Sequence, residues 1–276
     1  MERLRVLTLN IWNRQGPWEE RLRIIRAGIK ELEPDIVGLQ EVIWREGRCQ
    51  AHEIVEGLGY EVAFGKACDL GEGAEFGNAV LSRWPIARRE VFPLPTGSTD
   101  ESRSLLLAEI DAPHGRIPFL VTHLNWKLHH GAAREAQVAH IADVILREAP
   151  VDAPALADPP TKPAGYPPVL VGDLNASPDA TEVRFLKGLH ALDGRSIFFS
   201  DAYEIAGHGP GYTFDGTRNP FAECTHEHPR RIDYILVRGP DRSGRGRPLV
   251  SRVVFQDIVT GVTASDHFGV YAELSG

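Results

Sequence analysis

The chain has too few cysteines for a disulfide framework, no excess of positive charge and no run of apolar residues long enough for a membrane span. Its three cysteines, Cys49, Cys68 and Cys224, are an odd and widely scattered set, which fits a reducing compartment better than a secreted scaffold. No apolar stretch approaches the ~20 residues that a transmembrane helix requires. The first residues, Met1-Glu2-Arg3-Leu4-Arg5-Val6, lead straight into strand-like sequence without a signal-peptide layout. A cytoplasmic location is therefore expected. Acidic residues outnumber basic ones 38 to 30, for a formal net charge of −8. Proteins that grip duplex nucleic acid through its phosphates tend to be basic, so nucleic acid is a disfavoured partner, though not an excluded one.

What remains is an ordinary globular composition, 42% hydrophobic and 25% charged over 276 residues, enough for a substantial core. Apolar patterning predicts a first strand over residues 3–10, then an amphipathic helix over 18–33 with Trp18, Leu22, Ile25, Ile29 and Leu32 at helical spacing. Pro34 stops that helix. A short apolar strand, Ile36-Val37-Gly38-Leu39, ends in Gln40-Glu41. Further strands are predicted near 60–64, 76–82, 103–111, 117–123, 169–173, 231–237, 249–255 and 267–274. Helices are expected over 131–148, on the spacing of Val138, Ile141 and Ile145, and from a cap at Ser177 or Asp179 to about 189. Residues 150–168 are rich in Pro and Ala and are expected to form a surface insertion. The strand ends with polar residues are divided between the two halves, so residues 1–276 are read as a single domain; a monomer is expected. Many strands and few helices suggest two packed sheets with helices outside.

The chemistry sits at the strand ends. Val169-Leu170-Val171-Gly172 emits Asp173 and, two residues on, Asn175, which places both on the same side of an extended chain. Near the C-terminus, Asp266 stands beside His267, a group that titrates near neutrality. Asn10, Glu41, His123 with Asn125, and Asp233 end other predicted strands. Any one of them is unremarkable as a solvated turn residue or helix cap. A turn-residue explanation must recur, however, at six separate strand ends. Carboxylate, amide and imidazole groups without a candidate Ser or Cys nucleophile point to metal-assisted hydrolysis of a phosphoester.

With those residues in view, the chain resembles the endonuclease/exonuclease/phosphatase superfamily, the DNase I-like fold. The matching segments are Thr8-Leu9-Asn10, Leu39-Gln40-Glu41, Gly77-Asn78-Ala79-Val80-Leu81-Ser82-Arg83, Thr122-His123-Leu124-Asn125, Gly172-Asp173-Leu174-Asn175, Arg231-Ile232-Asp233-Tyr234 and Ser265-Asp266-His267. They occur in the family's order and span nearly the whole chain. The resemblance implies a four-layer α/β sandwich, with two mixed sheets packed face to face and the site at one edge. It implies a metal group of Glu41, Asn10 and Asp266, whose oxygen donors suit Mg²⁺ or Mn²⁺. It also implies that Asp173 orients or deprotonates the attacking water, that Asn175 donates to a phosphate oxygen, and that His123 and His267 flank the phosphate. Asp233 is then the partner that fixes the tautomer of His267 and favours its protonated form. The split of duties between the two histidines stays open.

Asn78 borders the site in the family and is a candidate substrate contact, with Asn125 and His129, although a structural hydrogen bond explains Asn78 equally well. Arg103 is read as a buried ion pair before a phosphate contact. Cys224, His226 and His228 alternate and are read as a loop at the site rim; on an extended chain they would align as a zinc site, which is the lesser reading because no fourth ligand is evident. The implied substrate is a phosphate ester, whether nucleic acid, nucleotide, phosphoinositide or phospholipid head group. The contrasting class is a non-catalytic binding relative, against which the complete set of site residues argues. Residues 238–248, with Arg238, Arg242, Arg245 and Arg247, form the one comparable basic cluster through which a polyanion would arrive.

Overall fold

The computed structural model describes residues 3–113, 115–150, 165–239 and 244–276. In chain order these form β1 (Arg3–Asn10), α1 (Trp18–Leu32), β2 (Ile36–Arg45), β3 (Arg48–Cys49), α2 (Gln50–Val55), β4 (Glu61–Gly71), β5 (Ala74–Ser82), β6 (Ile86–Pro93), β7 (Ser104–Ala112), β8 (Gly115–His123), α3 (Gly131–Glu148), β9 (Val169–Asp173), α4 (Thr181–Leu186), β10 (Phe199–Asp201), α5 (Ala202–Ala206), β11 (Asp233–Arg238), β12 (Pro248–Val254) and β13 (Gly269–Ser275), with a 3₁₀ turn at Glu223–Thr225. Seven strands build one sheet in the order β12-β13-β1-β2-β5-β4, with β3 on β2, and six build the other in the order β10-β11-β9-β8-β7-β6.

Alternation along the strands explains the layering. On β1, Leu4 and Val6 face the opposite sheet while Leu7 and Leu9 face outward under α1. On β9, Val169 and Val171 face inward and Leu170 faces α3 and α4. Each sheet is thus apolar on both faces, and a strand buried on both sides reads as a continuous apolar run. Ile25 and Ile29 of α1 with Ile54 of α2 cover one sheet; Val138, Ile141 and Ile145 of α3 with Val183 and Leu186 of α4 cover the other. The result is the four-layer α/β sandwich. Among the described residues no helix is long and apolar enough to cross a membrane.

Each sheet holds one parallel pair joined by a helical crossover. β1 runs beside β2, with Asn10 opposite Gln40, and β8 runs beside β9, with His123 opposite Asp173. The carboxyl ends of both pairs therefore meet at one edge, where sites form in such sheets. β11 enters that edge antiparallel, placing Asp233 opposite Asp173.

Two glycines permit the arrangement. At Gly38 an added Cβ would lie 2.3 Å from Cγ2 of Val171 on the other sheet, so only glycine allows the sheets to approach here. At Gly172, with φ +145°, a Cβ would lie 1.9 Å from the carbonyl oxygen of Thr122 on the paired strand.

Several elements differ from the sequence expectation. β2 does not stop at Glu41 but resumes pairing with β5 beyond a bulge between Leu39 and Val42. The helix expected to run to about 189 is only Thr181–Leu186, headed by Ala180 without a side-chain cap, because Ser177 instead accepts Ala180 N–H in a turn, 2.9 Å. β3, β6, β10, α2 and α5 were not anticipated; they are short or, as in β6, half-exposed with weak apolar alternation. Most of the Pro/Ala-rich insertion, and Arg242 of the basic segment, lie outside the described residues. The rest of that basic segment is displaced from its expected role. β11 runs away from the site, so Arg238 lies five residues beyond Asp233, about 17 Å at strand rise. β12 begins opposite Leu274, at the far end of β13 from His267. Arg238 and Arg247 therefore belong to the opposite edge of the sandwich, Arg247 being bonded to Ser275 at the end of β13.

Gly172→Ala should destabilise the protein by on the order of 3 kcal/mol, because the clash is with backbone that cannot rotate away. Gly59→Ala, also at positive φ but in open space, should cost only about 1–2 kcal/mol. Urea unfolding midpoints compare the two; equal costs would contradict the close approach at Gly172.

Candidate active site

The two sheets meet chemically at Asp173. Its Oδ1 accepts the backbone N–H of Asn175 at 2.8 Å, and its Oδ2 accepts Nδ2 of Asn10 from the other sheet at 3.0 Å. Nε2 of His123 lies 3.3 Å and Nε2 of His267 3.7 Å from the same Oδ2. Asp173 is buried. That burial pushes its carboxyl up to about 7, with Asp233 adding to the rise while the His267 cation and the Asn10 and Asn175 hydrogen bonds oppose it.

His267 turns Nδ1 toward Oδ2 of Asp233 at 3.0 Å. Burial disfavours its charge, but Asp233, Asp173 and Asp266 together prevail and hold it well above the ordinary imidazole value. Asp233 is itself fixed by Oγ1 of Thr213, which accepts the backbone N–H of Ile232 and Asp233 at 3.1 and 3.2 Å. Its Oδ1 is buried without a hydrogen-bond partner, which sharpens the negative potential at the imidazole. The ring of Phe214 lies against His267, centroids 5.0 Å apart.

His123 is the opposite case. Nη1 of Arg103 lies 2.8 Å from its Nδ1, and burial, then the Arg103 and His267 cations, hold His123 well below the ordinary value. One imidazole is neutral and the other cationic, on either side of one carboxylate.

Glu41 reaches the same edge by a backbone device. It occupies the left-handed region, φ +61°, within the β2 bulge, which re-aims a side chain out of the strand's alternation. Its oxygens accept Nδ2 of Asn10 at 3.3 Å and Nδ2 of Asn13 at 2.8 Å. Asp266, half-buried beside it, accepts Oγ of Ser265 at 3.1 Å. Burial pushes Asp266 up to about 6, and the Glu41 carboxylate adds to the rise against the His267 and Arg21 cations and the Ser265 hydrogen bond.

Asn13 and Arg21 are contributors that motif reading missed. Arg21 occupies the apolar stripe of α1, in step with Trp18, Ile25 and Ile29, and a cation on such a stripe was the available signal. It is fully buried and donates to the carbonyls of Ile11, Trp12, Asn13, Gln15 and Ala264. It thereby ties the loop after β1 to the segment before Asp266. Burial lowers its guanidinium to about 10, while Asp266 and Glu41 support the charge.

Other expected residues stand further back. Nδ2 of Asn78 donates to the carbonyl of Ser104 at 3.0 Å, linking β5 to β7 across the sheets. Asn125 organises its own loop, its Oδ1 lying 3.1 Å from Lys127 N and from Nδ1 of His130. His129 is exposed and lies edge-on to His130. Asn175, at φ +51°, donates Nδ2 to the carbonyl of Leu124 at 3.1 Å. Cys224 lies in the 3₁₀ turn and His226 is left-handed, so with His228 they do not form the aligned strand on which the zinc reading rested.

Hard oxygen donors from Glu41, Asp266 and Asn10 suit a divalent cation such as Mg²⁺ or Mn²⁺. The ligand atoms of Asp173, Asp233 and His267 also lie within 4.8 Å of one another. A protonated imidazole has no lone pair to offer a metal, so this trio is better read as a hydrogen-bonded relay.

The sequence profile of the Endonuclease/Exonuclease/phosphatase family matches residues 7–267, and the chain belongs to that family. It is an enzyme of the metal-dependent phosphoester hydrolase class. Among solved structures, it is similar to TDP2 of D. rerio complexed with single strand DNA product, at 19% identity and a TM-score of 0.75 with 100% of each chain covered. A Bacteroides vulgatus endonuclease/exonuclease/phosphatase is 22% identical, with a TM-score of 0.73 over 100% of this chain and 99% of that one. A Beutenbergia cavernae endonuclease/exonuclease/phosphatase is 25% identical, with a TM-score of 0.71 over 100% and 72%. A comparison with curated proteins finds no significant match.

The His267–Asp233 pair has a consequence for pH. His267 binds its proton more tightly folded than unfolded, where the value is about 6.5. Its contribution to stability is therefore full below about 6.5 and is lost as the pH rises through the folded value. An NMR titration should find His267 still protonated at pH 7.5, and Asp233→Asn should move its midpoint down by at least one unit. A His267 midpoint near 6.5 in the parent protein would refute the pairing.

Proposed function

We propose that this chain, as a single domain, is a phosphodiesterase or phosphatase that uses a divalent cation and water to hydrolyse one phosphate ester group at a time. The observation that carries this reading is the convergence on Asp173 of groups from both sheets, with a neutral and a cationic imidazole flanking it. Glu41, Asn10 and Asp266 would hold the ion, which supplies positive charge to the phosphate and lowers the pKa of water. Asp173 orients the attacking water and accepts its proton, a role that a carboxyl near pH 7 suits. His267, held cationic by Asp233, stabilises charge growing on the phosphoryl oxygens. Asn175 and His123 donate hydrogen bonds to the same group. Asn78, Asn125 and His129 are the candidate contacts for the rest of the substrate.

The substrate class follows from electrostatics. The net charge is −8, and Arg238 and Arg247 lie at the opposite edge. That favours a small phosphoester, or a single phosphate presented at a chain end, over a long polyanion. A second reading is a nuclease acting on single-stranded DNA, favoured by the zebrafish relative bound to such a product.

Chelation should reduce hydrolysis of bis-p-nitrophenyl phosphate to background, and Mg²⁺ or Mn²⁺ should restore it. Glu41→Gln should raise the metal concentration needed for half-activity at least tenfold, and Asp173→Asn should cut turnover on the order of a hundredfold at saturating metal. Turnover that survives exhaustive chelation would sink the metal-dependent reading.

On the substrate side, replacing Arg238 and Arg247 by Ala should leave turnover and salt dependence of small phosphodiesters and of oligonucleotides alike within twofold. A salt-sensitive loss confined to oligonucleotides would instead make that segment a nucleic-acid contact.

A further inference from the structure

Arg103 lies just before β7, one residue from the Ser104 carbonyl that Asn78 holds. It is buried, as is His123, and its Nη1 lies 2.8 Å from Nδ1 of that ring. A guanidinium has donors and no acceptor and does not deprotonate in proteins. The contact therefore requires a bare lone pair on Nδ1, which puts the ring's one hydrogen on Nε2, the nitrogen 3.3 Å from Oδ2 of Asp173. A doubly protonated ring would set N–H against N–H.

We propose that Arg103 is a positioning residue that locks His123 as the neutral Nε2–H tautomer, aiming a hydrogen-bond donor, and not an acid, at the reacting phosphate. Glu101 ion-pairs with the other end of the guanidinium, and the Phe76 ring lies beneath it, 6.0 Å away. The lock is thus itself held from two sides. The proposal rests on the phosphoesterase reading of the site and divides the work of its two histidines. A neutral imidazole N–H is a poor proton donor, so His123 stabilises a phosphoryl oxygen by hydrogen bonding and transfers no proton. His267, whose Nδ1 faces a carboxylate where His123 faces a cation, carries the charge. The two rings look alike in sequence, and their partners make them chemically different.

The test is a long-range ¹H–¹⁵N correlation spectrum of the full-length protein labelled at histidine nitrogens, recorded at pH 7 with Mg²⁺. His123→Gln assigns one ring by loss of its signals. The expected parent spectrum has His123 with a bare Nδ1 and a protonated Nε2, and His267 with both nitrogens protonated. Arg103→Met should abolish the bare-Nδ1 pattern at His123, leave the His267 signals in place as a fold control, and lower kcat on the order of a hundredfold with KM within about threefold. Arg103→Lys, which keeps a cationic donor, should recover part of both the tautomer and kcat. A doubly protonated His123 in the parent protein would overturn the proposal even if Arg103→Met does not fold. So would an unchanged His123 tautomer in Arg103→Met, because any loss of kcat would then come from direct contact of Arg103 with substrate. The spectrum is read without turnover, so failure of the parent protein to hydrolyse phosphoesters would count against the functional reading alone.

Discussion

The hydrogen bond from Asn10 to Asp173 is the constraint on which the site depends. It joins the carboxyl end of β1 in one sheet to that of β9 in the other, 163 residues apart in sequence and 3.0 Å in space. For these two groups to meet, both sheets must deliver their parallel pairs to the same edge. Glycine at 38 and 172 lets the sheets and strands approach closely enough. Burial is the unavoidable cost of the arrangement, since a carboxylate between two apolar sheets loses its water. That loss is offset by Asn10, the Asn175 backbone and the two imidazoles. It also lifts Asp173 toward pH 7, where a carboxyl can take up and release a proton. The packing and the chemistry therefore have a single cause.

Much of this was legible in the sequence, for a definable reason. Asn10, Glu41, His123, Asp173 and Asp233 lie at or beside strands that are buried on both faces, and such strands are continuous apolar runs whose polar endings stand out. Their ordered recurrence carried the family resemblance. The residues that escaped notice act through backbone geometry or through space. Asn13 reaches Glu41 from a loop, and Arg21 works on carbonyl groups, which leave no mark in a side-chain pattern. The β2 bulge was unreadable because Gln40-Glu41 looks like a strand end whether or not pairing resumes beyond it. The basic segment shows the converse error. Its arginines were visible, but the edge that Arg238 occupies depends on the antiparallel register of β11 against β9, and that is a property of the sheet.

The electrostatic design is asymmetric by necessity. Two imidazoles beside one carboxylate would repel each other if both were charged, and the His267 cation does depress His123. Giving one ring a carboxylate and the other a guanidinium resolves the conflict before any substrate arrives. In the proposed reaction neither protonation state would then have to change as the phosphate enters, which would keep reorganisation small.

The same distribution governs what can be drawn to the site. Across the whole surface the net charge repels anions, and the Debye length at physiological salt is about 8 Å. Positive charge within about that distance includes His267, Arg103 and Arg21, to which a divalent ion would add. On the proposed reading, a field confined to the edge would hold one phosphate and contribute little to its neighbours along a polymer, and preference among phosphoesters would rest with the group that carries the phosphate. On that reading the surfaces beside the two imidazoles are candidates to read that group: Phe214 against His267, Phe76 beside His123, and the loop after β8. Arg134 fastens that loop through the carbonyls of Asn125 and Lys127, which ties the backbone after His123 to α3.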